Sequence, residues 1–378
     1  MWYNRGMKLT AKVKLQPTPK QAELLKITLE TANAACSKIS QVAWETQTFG
    51  QFSLHKLTYH PIRQQFNLAA QIVVRCISKV ADAYKLDKKT QRTFRPLGGI
   101  AYDDRVLNWR LPSHTVSIWT MAGRQVIPFV CGEHQWQLLQ TQQGETDLAC
   151  IDGEFYLFAV CNVDQPTPLD VDGFLGVDVG VANIAVDSDG AIYQGKTVKN
   201  VRYRNRQLRR KLQAKGTKST RRLLKQRSKK EQRFATWTNH NISKTIVATA
   251  QGTGRGIALE DLTGIRDRIT ARKPQRAALS SWSFFQLRSF IEYKAQLAGV
   301  LVVVVDPRNT SRQCPSCGYI AKANRKTQSK FLCIDCGFSG LADYIAAINI
   351  GRRAAVRLPN VSGVPDHRDS ARDKAHVL

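Results

Sequence analysis

Apolar residues in the first part of the chain recur at the spacing of amphipathic helices. A short alternating strand, LTAKVKLQP, comes first. The letters TPKQ then give a helix start, with Thr18 as N-cap, Pro19 at the first position and Gln21 completing a capping box. Apolar side chains step by three and four over residues 25–43, and the pattern repeats over residues 66–84. The pattern predicts a strand followed by a small helical module.

From about Arg105 the period changes to the alternation of β-strands. The segments TVSIW, QVIPFV and EFYLFAV are typical of strands, and Gly123 and the pair Asp152-Gly153 are typical of hairpin turns. The following segment, DQPTPLDVDG, is rich in proline and aspartate. It predicts a linker that closes a small β unit.

The second half of the chain alternates between strand and helix patterns. Three strand-like pieces surround Asp178, and Asp189-Gly190 joins the last two, which predicts an antiparallel meander. GRGIALEDL and VLVVVVD are further predicted strands. HNISKTIVATA, SFFQLRSFIEYKAQLAG and LADYIAAINIGRRAAVRL have the pattern of helices. The final 20 residues, with two prolines and mixed charges, are predicted to be disordered.

The charge of the chain points to a polyanionic partner. Its 57 Lys and Arg against 29 Asp and Glu give a net charge of +28 and a pI near 10.0. So large an excess favours nucleic-acid phosphates as counter-ions, with a merely solvated basic surface as the alternative. The start lacks an apolar signal core, and no apolar stretch approaches the roughly 20 residues of a membrane span. We therefore expect a soluble, cytoplasmic protein.

One basic segment concentrates this charge. Val201 to Arg233 holds fifteen Lys or Arg residues against one acid, Glu231. Leucines at helical spacing predict a long basic helix or helical hairpin that faces nucleic acid, and a solvated face is the alternative. The candidate nucleic-acid-binding residues are Arg202, Arg204, Arg206, Arg209, Arg210, Lys211, Arg221, Arg222, Lys225, Arg227, Lys229 and Lys230.

Four of the nine cysteines form a cluster with metal-ligand spacing. Two Cys-x-x-Cys pairs, separated by fifteen residues, are each followed by a glycine. This spacing predicts a structural zinc ribbon that binds one Zn²⁺, with a redox-active dithiol as the alternative. The predicted ligands are Cys314, Cys317, Cys333 and Cys336.

Three carboxylates stand where strands end or a helix begins. Asp178 interrupts the apolar segment FLGVDVGVANIAV, and burying its charge without a partner costs several kcal/mol. Glu260 ends another apolar strand, and Asp343 begins a helix. Each has an ordinary interpretation, as a turn cap at Gly180, a helix cap or a helix-dipole partner. In a chain of this charge, the three together indicate a two-metal phosphodiesterase core.

The motifs resemble one protein family. GVDVGVANIAV, ALEDLTGIR, TSRQCPSCG with CIDCG, and ADYIAAINI occur in the order and spacing of the TnpB (OrfB-type) proteins, transposon-encoded relatives of the type V CRISPR effectors. The resemblance covers Gly173 to about Arg352, and the N-terminal half matches only in layout. Two positions depart from the family pattern. Ile345 stands where the family commonly has Asn, a change that we expect to weaken activity, and Asn239 stands where an acid is common.

The resemblance implies a multi-domain α/β fold. An RNase H-like RuvC domain with an inserted zinc ribbon would follow a β-barrel wedge domain that a helical recognition module interrupts. The implied ranges are 1–17 and 105–170 for the wedge, 18–104 for the helical module, 171–310 and 341–358 for RuvC, 311–340 for the ribbon and 359–378 for a disordered tail.

The resemblance also implies a function. Such a protein would bind a guide RNA from the transposon end and cleave paired double-stranded DNA beside a short transposon-adjacent motif, as one monomer per guide RNA in a bacterial cytoplasm. Asp178, Glu260 and Asp343 would hold two Mg²⁺ ions, and the four cysteines Zn²⁺. Arg266, Arg268, Arg272 or Lys273 would close over the strand.

Three other functions remain open from the sequence. They are a nuclease-inactive guided repressor, a DNA-strand-transfer transposase and a zinc-ribbon binding protein without catalysis.

Overall fold

The computed structural model describes residues 7–180, 182–263 and 284–357. The chain forms two compact units, Met1–Asp164 and Gln165–Leu378. The predicted tail, 359–378, lies outside the described residues. So do the four basic residues expected to close over the nucleic-acid strand, which are Arg266, Arg268, Arg272 and Lys273. The finer domain boundaries therefore stay predictions. No helix in the described parts of the chain has both the length and the apolar character that a membrane span requires.

The first unit combines an antiparallel sheet with a helical module. Its sheet has the strand order β2-β6-β7-β1-β5-β4-β3, and one apolar core is shared by the sheet and the helices. Its elements are β1 (Met7–Leu15), α1 (Pro19–Glu45), α2 (Gln51–Phe66), α3 (Ala70–Leu86), β2 (Ile100–Tyr102), β3 (Leu107–Arg110), β4 (Thr115–Thr120), β5 (Gly123–Val130), α4 (Glu133–Leu139), β6 (Gln142–Ile151) and β7 (Glu154–Val163).

The start of α1 is the predicted capping box. Thr18 Oγ1 accepts a hydrogen bond from the Gln21 amide, and the Gln21 side chain accepts one from the Thr18 amide. The helical region differs from the prediction, because α2 lies between the two predicted helices and Phe66 ends α2. Only a narrow stripe of α2 is buried and Pro61 lies inside it, so its periodicity is weak.

The second unit is built on a mixed five-stranded sheet. Its strand order is β10-β9-β8-β11-β12, in which β8, β11 and β12 are parallel and β9 and β10 complete the predicted antiparallel meander. Its elements are β8 (Phe174–Asp178), β9 (Asn183–Asp187), β10 (Ile192–Gln194), α5 (Lys196–Lys215), α6 (Lys218–Arg227), α7 (Lys230–Gly252), β11 (Gly256–Glu260), α8 (Phe284–Leu297), β12 (Val302–Val305), β13 (Lys330–Leu332), β14 (Ser339–Leu341) and α9 (Ala342–Arg357).

Side-chain alternation assigns each face of this sheet to different helices. Leu175 and Val177 pack in one apolar cluster with residues of α7 and α8. Phe174 lies in another cluster, with Ile350 of α9. Since residues two apart on a strand share a face, Gly176 and Asp178 face α9 with Phe174.

A glycine lets α9 lie directly against β8. A Cβ at Gly176 would be 1.9 Å from the Ala347 carbonyl oxygen and 2.5 Å from the Gly351 nitrogen, so no larger residue fits. Ala347 and Gly351 are four residues apart on α9 and therefore share one face. Asp343, four residues before Ala347, lies on the same face. Because Gly351 is also near the Phe174 carbonyl, α9 runs antiparallel to β8.

Candidate active site

The fold brings the three predicted carboxylates to one edge of the sheet. Asp178 ends β8 and Glu260 ends β11, and these strands are parallel with Leu259 opposite Val177. The two acids are therefore at neighbouring carboxyl ends. Asp343 lies in the first turn of α9, at the end of that helix nearest the same edge. All three are half-buried, so solvent and ligands can reach them.

Asp178 is affected both by its burial and by the charges of the other two carboxylates. Burial raises the pKa of Asp178 well above its ordinary value, and the charges of Glu260 and Asp343 raise it further. Arg325 and the Val179 amide lower it in part. Burial also raises the pKa of Glu260, against the hydrogen bond from Thr310. Burial therefore disfavours the ionised form of both carboxyl groups.

Polar neighbours hold two of the carboxylates in place. The Asn183 side chain donates a hydrogen bond to Asp343 Oδ2 at 3.0 Å. The Thr310 hydroxyl, itself buried, donates to Glu260 Oε1 at 2.5 Å. Asn349 of α9 donates to the Thr310 carbonyl oxygen at 2.8 Å. Helix α9 therefore helps to position Glu260, which lies on a strand.

Arg325 is a site residue that the sequence patterns do not identify. It belongs to the segment between the two cysteine pairs, and its guanidinium lies 3.4 Å from Asp343 Oδ1 and donates to the Gln328 carbonyl oxygen at 2.7 Å. Its charge lowers the pKa of both Asp178 and Glu260. A single arginine among several cations has no periodicity to mark it, and only the fold places it beside the acids.

Two nearby acids have structural partners instead. Asp261, which follows Glu260, accepts hydrogen bonds from the amide and hydroxyl of Thr263 and lies 3.6 Å from Arg288. Asp187 on β9 accepts from the amides of the hairpin turn that follows it. Of these two adjacent acids, Asp261 caps the turn that follows the strand. Glu260 therefore remains available to the candidate site.

The four clustered cysteines form a site that could hold a metal ion. Their sulfur atoms all lie within 4.8 Å of one another. The Sγ atoms are 3.6 Å apart in the pairs Cys314–Cys336 and Cys317–Cys333. In each knuckle a glycine with positive φ closes the turn by donating its amide to the carbonyl oxygen of the first cysteine. A hydrogen bond from the Phe338 amide lowers the pKa of Cys336 to about 7.

The predicted basic segment is helical but interrupted. Helix α5 ends at Gly216, which has a φ of 62°, and α6 and α7 follow. Of the twelve candidate residues, eleven are exposed, and Arg202 is half-buried. Arg202 and Arg209 lie 3.6 and 3.3 Å from the two oxygens of Glu231. This acid orients the helices, and the exposed cations remain available to phosphates.

The two departures from the family pattern have packing roles. Ile345 is fully buried in a cluster with Cys314, Phe331 and Cys333, so it anchors α9 to the segment that carries the clustered cysteines. Asn239 is buried in α7, and its side chain donates to Gln286 Oε1 at 3.0 Å. The expected effect of Ile345 on activity stays a prediction.

Sequence comparisons identify relatives of this arrangement. A family model described as "Cas12f1-like, TNB domain" matches residues 284–350, which carry the cysteines and Asp343. The chain is 30% identical to the TnpB-like protein MJ0751 of Methanocaldococcus jannaschii over 200 residues, which cover 50% of this chain and 71% of that protein. The chain belongs to the TnpB family.

Other relatives match a smaller share of their length. The TnpB chain is 41% identical to the CRISPR-associated endodeoxyribonuclease Cas12f1 of Sulfoacidibacillus thermotolerans over 132 residues, which cover 35% of this chain and 28% of that protein. Against the putative RNA-guided DNA endonuclease InsQ of Escherichia coli K12, identity is 27%, covering 52% of this chain and 53% of InsQ. The chain spans 28, 37 and 40% of the length of three Cas12f relatives.

Solved structures show the same fold as this TnpB chain. A Cas12f1–sgRNA–target DNA complex matches with a TM-score of 0.60 at 15% identity, over 88% of this chain and 83% of that chain. The mini-RNA-guided endonuclease CRISPR-Cas_phi3 matches with a TM-score of 0.61 at 11% identity, over 95% and 94%. The predicted multi-domain α/β fold class is confirmed, and the four-cysteine cluster lies in the segment predicted as the inserted ribbon.

Proposed function

We propose that this protein is a guide-RNA-directed, Mg²⁺-dependent DNA endonuclease encoded by a transposable element, which cleaves target DNA next to a short transposon-adjacent motif. The observation that carries the proposal is the convergence of Asp178, Glu260 and Asp343 at one sheet edge. The names of relatives, which include RNA-guided DNA endonuclease and endodeoxyribonuclease, support the same activity.

The residues at this edge fit hard divalent cations. Carboxylate oxygens are the donors that Mg²⁺ prefers, and burial together with the charges of Glu260 and Asp343 disfavours the ionised form of Asp178, which a bound cation would stabilise. Two Mg²⁺ ions bound there would supply Lewis acidity at the attacking and leaving oxygens of the phosphodiester. Asn183 and Thr310 fix the carboxylate orientations. Arg325 adds a positive charge at the same edge, where a scissile phosphate would lie.

The cysteine cluster fits one structural Zn²⁺. A tetrahedral site with Zn–S bonds of about 2.3 Å places sulfur atoms roughly 3.8 Å apart. The 3.6 Å separations are close to that value. Four thiolates leave no open coordination position, so this ion would stabilise the ribbon and the adjacent Arg325 and take no part in hydrolysis.

The basic helices fit a guide RNA paired with its DNA target. The exposed cations of α5 and α6 are spread along helix surfaces, which suits contacts to the phosphate backbone of a heteroduplex. Sequence would then be read by base pairing. We place this activity in the bacterial cytoplasm, with one monomer for each guide RNA.

Guided cleavage of a plasmid library tests the proposal. The protein is purified with its co-expressed transposon-end transcript, mixed with Mg²⁺ and a library carrying the guide-matched target beside randomised bases, and compared with Asp178→Ala. We expect retained RNA and guide-dependent breaks next to one short motif, with no breaks from the variant.

Each alternative has its own result in this assay. Retained RNA with bound but uncut DNA in the wild type would indicate a guided repressor. Joined rather than broken ends would indicate strand transfer. A protein that retains no RNA would contradict both guided functions and leave a zinc-ribbon binding protein.

A further inference from the structure

Helix α7 exposes a stripe in which two aromatic rings lie between two cationic side chains. Arg233, Trp237, His240 and Lys244 are spaced by four, three and four residues, so they share one face of the helix, and all four are exposed. Trp237 is 63% exposed, which is unusual for so large an aromatic side chain. From Arg233 to Gly252 the helix contains no Asp or Glu.

The core does not need this face. The opposite side of α7 carries the buried residues Ala235, Ile242 and Ile246, and the last two pack in the cluster beneath the sheet. Trp237 contacts Phe234 at a ring-centroid distance of 6.1 Å, which leaves its outer face open. The apolar core therefore does not account for the exposed Trp237 ring or for the cations on either side of it.

The adjoining helix α8 extends the aromatic surface. His240 stacks on Phe290 with ring centroids 3.9 Å apart and planes 24° apart. Lys294 donates to the His240 carbonyl oxygen at 2.6 Å, and burial together with this cation lowers the pKa of His240. The imidazole is therefore mainly neutral near pH 7 and presents a flat ring, with Lys294 as a fixed charge beside it.

A shallow space lies along the same stripe. It has a volume of about 610 Å³ and is lined by Lys229, Gln232, Arg233, Thr236, Trp237 and His240. Its lining is cationic and aromatic, with no carboxylate among these residues. Flat rings with flanking cations are the features that unpaired nucleotides use, since every base offers a π-face and every linkage a phosphate.

The topology places the stripe toward the active-site edge. Only three residues separate the end of α7 from β11, and both elements pack in one apolar cluster, so the chain must reverse between them. The N-terminal half of α7 therefore lies toward the carboxyl end of that strand, where Glu260 lies. Gln286, at the start of α8, bonds to Thr236 and Asn239 of this half. Trp237 lies between these two positions along α7.

We propose that Trp237, with Arg233, His240 and Lys244, forms a binding surface for single-stranded nucleic acid, in which an unpaired base stacks on the indole and the flanking cations contact phosphates. The surface deepens the proposed endonuclease function, on which its biological use rests. It would hold an unpaired strand near the edge where hydrolysis takes place.

Binding of a fluorescent twelve-residue oligothymidylate to the full chain, purified with its transcript and held in EDTA, tests this proposal. We expect Trp237→Ala to weaken binding about 5- to 50-fold, and Trp237→Phe, which keeps a ring, to stay within about threefold of wild type. Arg233→Gln and Lys244→Gln should each reduce the slope of log K against log salt by about 0.7. Trp237→Ala should leave that slope unchanged.

Controls separate stacking from general effects. Phe52→Ala removes an aromatic ring that is 85% exposed on α2 and should leave oligothymidylate affinity unchanged. A matched twelve-base-pair duplex should bind all the tryptophan variants equally, and oligouridylate in place of oligothymidylate shows whether RNA or DNA is preferred. Thermal unfolding midpoints should match wild type.

Three results would overturn the proposal. The first is an unchanged oligothymidylate affinity of Trp237→Ala. The second is an equal loss of duplex and single-strand affinity in that variant. The third is a lower molar mass of Trp237→Ala than of wild type in solution, which would make the stripe an interface between copies of this chain. Because EDTA blocks cleavage, these results are independent of the endonuclease activity. Guided cutting by the wild-type protein, measured separately in Mg²⁺, decides that function.

Discussion

At the scale of single residues, Asp178 marks the site because its ionised form is unfavourable where the fold places it. Its strand is otherwise apolar, and its pKa is raised by burial and by two neighbouring carboxylates. A fold selected for stability alone has no reason to place three like charges at one edge. The arrangement becomes favourable when divalent cations bind between them.

We expect Asp178→Asn to stabilise the ion-free protein. A carboxylate whose folded pKa is raised destabilises the fold progressively as pH rises from about 4, its unfolded value, through the folded pKa. In EDTA at pH 7.5 the variant should therefore unfold about 2–4 °C above wild type, and the difference should disappear near pH 4. Differential scanning calorimetry measures both midpoints. A difference in unfolding midpoint between variant and wild type that is the same at pH 7.5 and near pH 4 would contradict the account.

Thr310 gives a second prediction at this scale, as a positioning residue. Its hydroxyl donates to Glu260 and lowers the pKa of that carboxyl. Thr310→Val should reduce cleavage about 10- to 100-fold and move the acid limb of the pH–rate profile to higher pH, because Glu260 then holds its proton more tightly. Thr310→Ser keeps the hydroxyl and should restore both. An unshifted acid limb in the valine variant would mean that Thr310 acts only through packing.

At the scale of elements, the site depends on how closely α9 approaches β8. The contact of Gly176 with the Ala347 carbonyl sets the distance between α9 and the sheet. Because Asp343 precedes Ala347 by four residues, it lies on the same helix face, at the sheet edge. Ile345, on the same helix, is buried against the cysteine ligands. One helix therefore connects the sheet, the carboxylates and the metal-ligand segment.

Gly176→Ala tests this coupling. The added methyl group would overlap the Ala347 carbonyl, so α9 must shift, which should destabilise the protein by about 1–3 kcal/mol. Cleavage should fall further than stability explains, since Asp343 moves with the helix. Gly252→Ala, where a Cβ meets nothing within 4 Å, is the matched control. Denaturant unfolding and cleavage rates are the measurements, and equal effects of both substitutions would contradict the coupling.

The elements also show what the sequence could and could not predict. The capping box at Thr18, the hairpin turn at Asp152-Gly153 and the meander turn at Asp189-Gly190 were predictable because local chemistry determines them. Helix α2 was not, because only a thin stripe of it is buried. The short strands β2 and β3 were also missed, since three or four residues are too few for an alternation to stand out.

At the scale of the whole molecule, cationic side chains and the carboxylates of the site lie on different elements. Excess cations cover α5, α6 and the exposed face of α7, whereas carboxylates gather at the carboxyl edge of the sheet. The three acids could be picked out from the sequence because Asp178 interrupts an apolar strand pattern, Glu260 ends one and Asp343 begins a helix. Arg325 and Thr310 could not, since their significance comes only from contacts between segments far apart in the chain.

The most direct test of the account compares the three carboxylates with a fourth that lies outside the site. Guided DNA cleavage is measured across a Mg²⁺ titration for Asp178→Ala, Glu260→Ala, Asp343→Ala and the control Asp189→Asn. Asp189 lies in the β9–β10 turn and forms an ion pair with Arg255. The account expects each of the first three to abolish cutting while guide RNA remains bound, and Asp189→Asn to cut like wild type. Cutting that survives the loss of any one of the three would contradict a shared metal site.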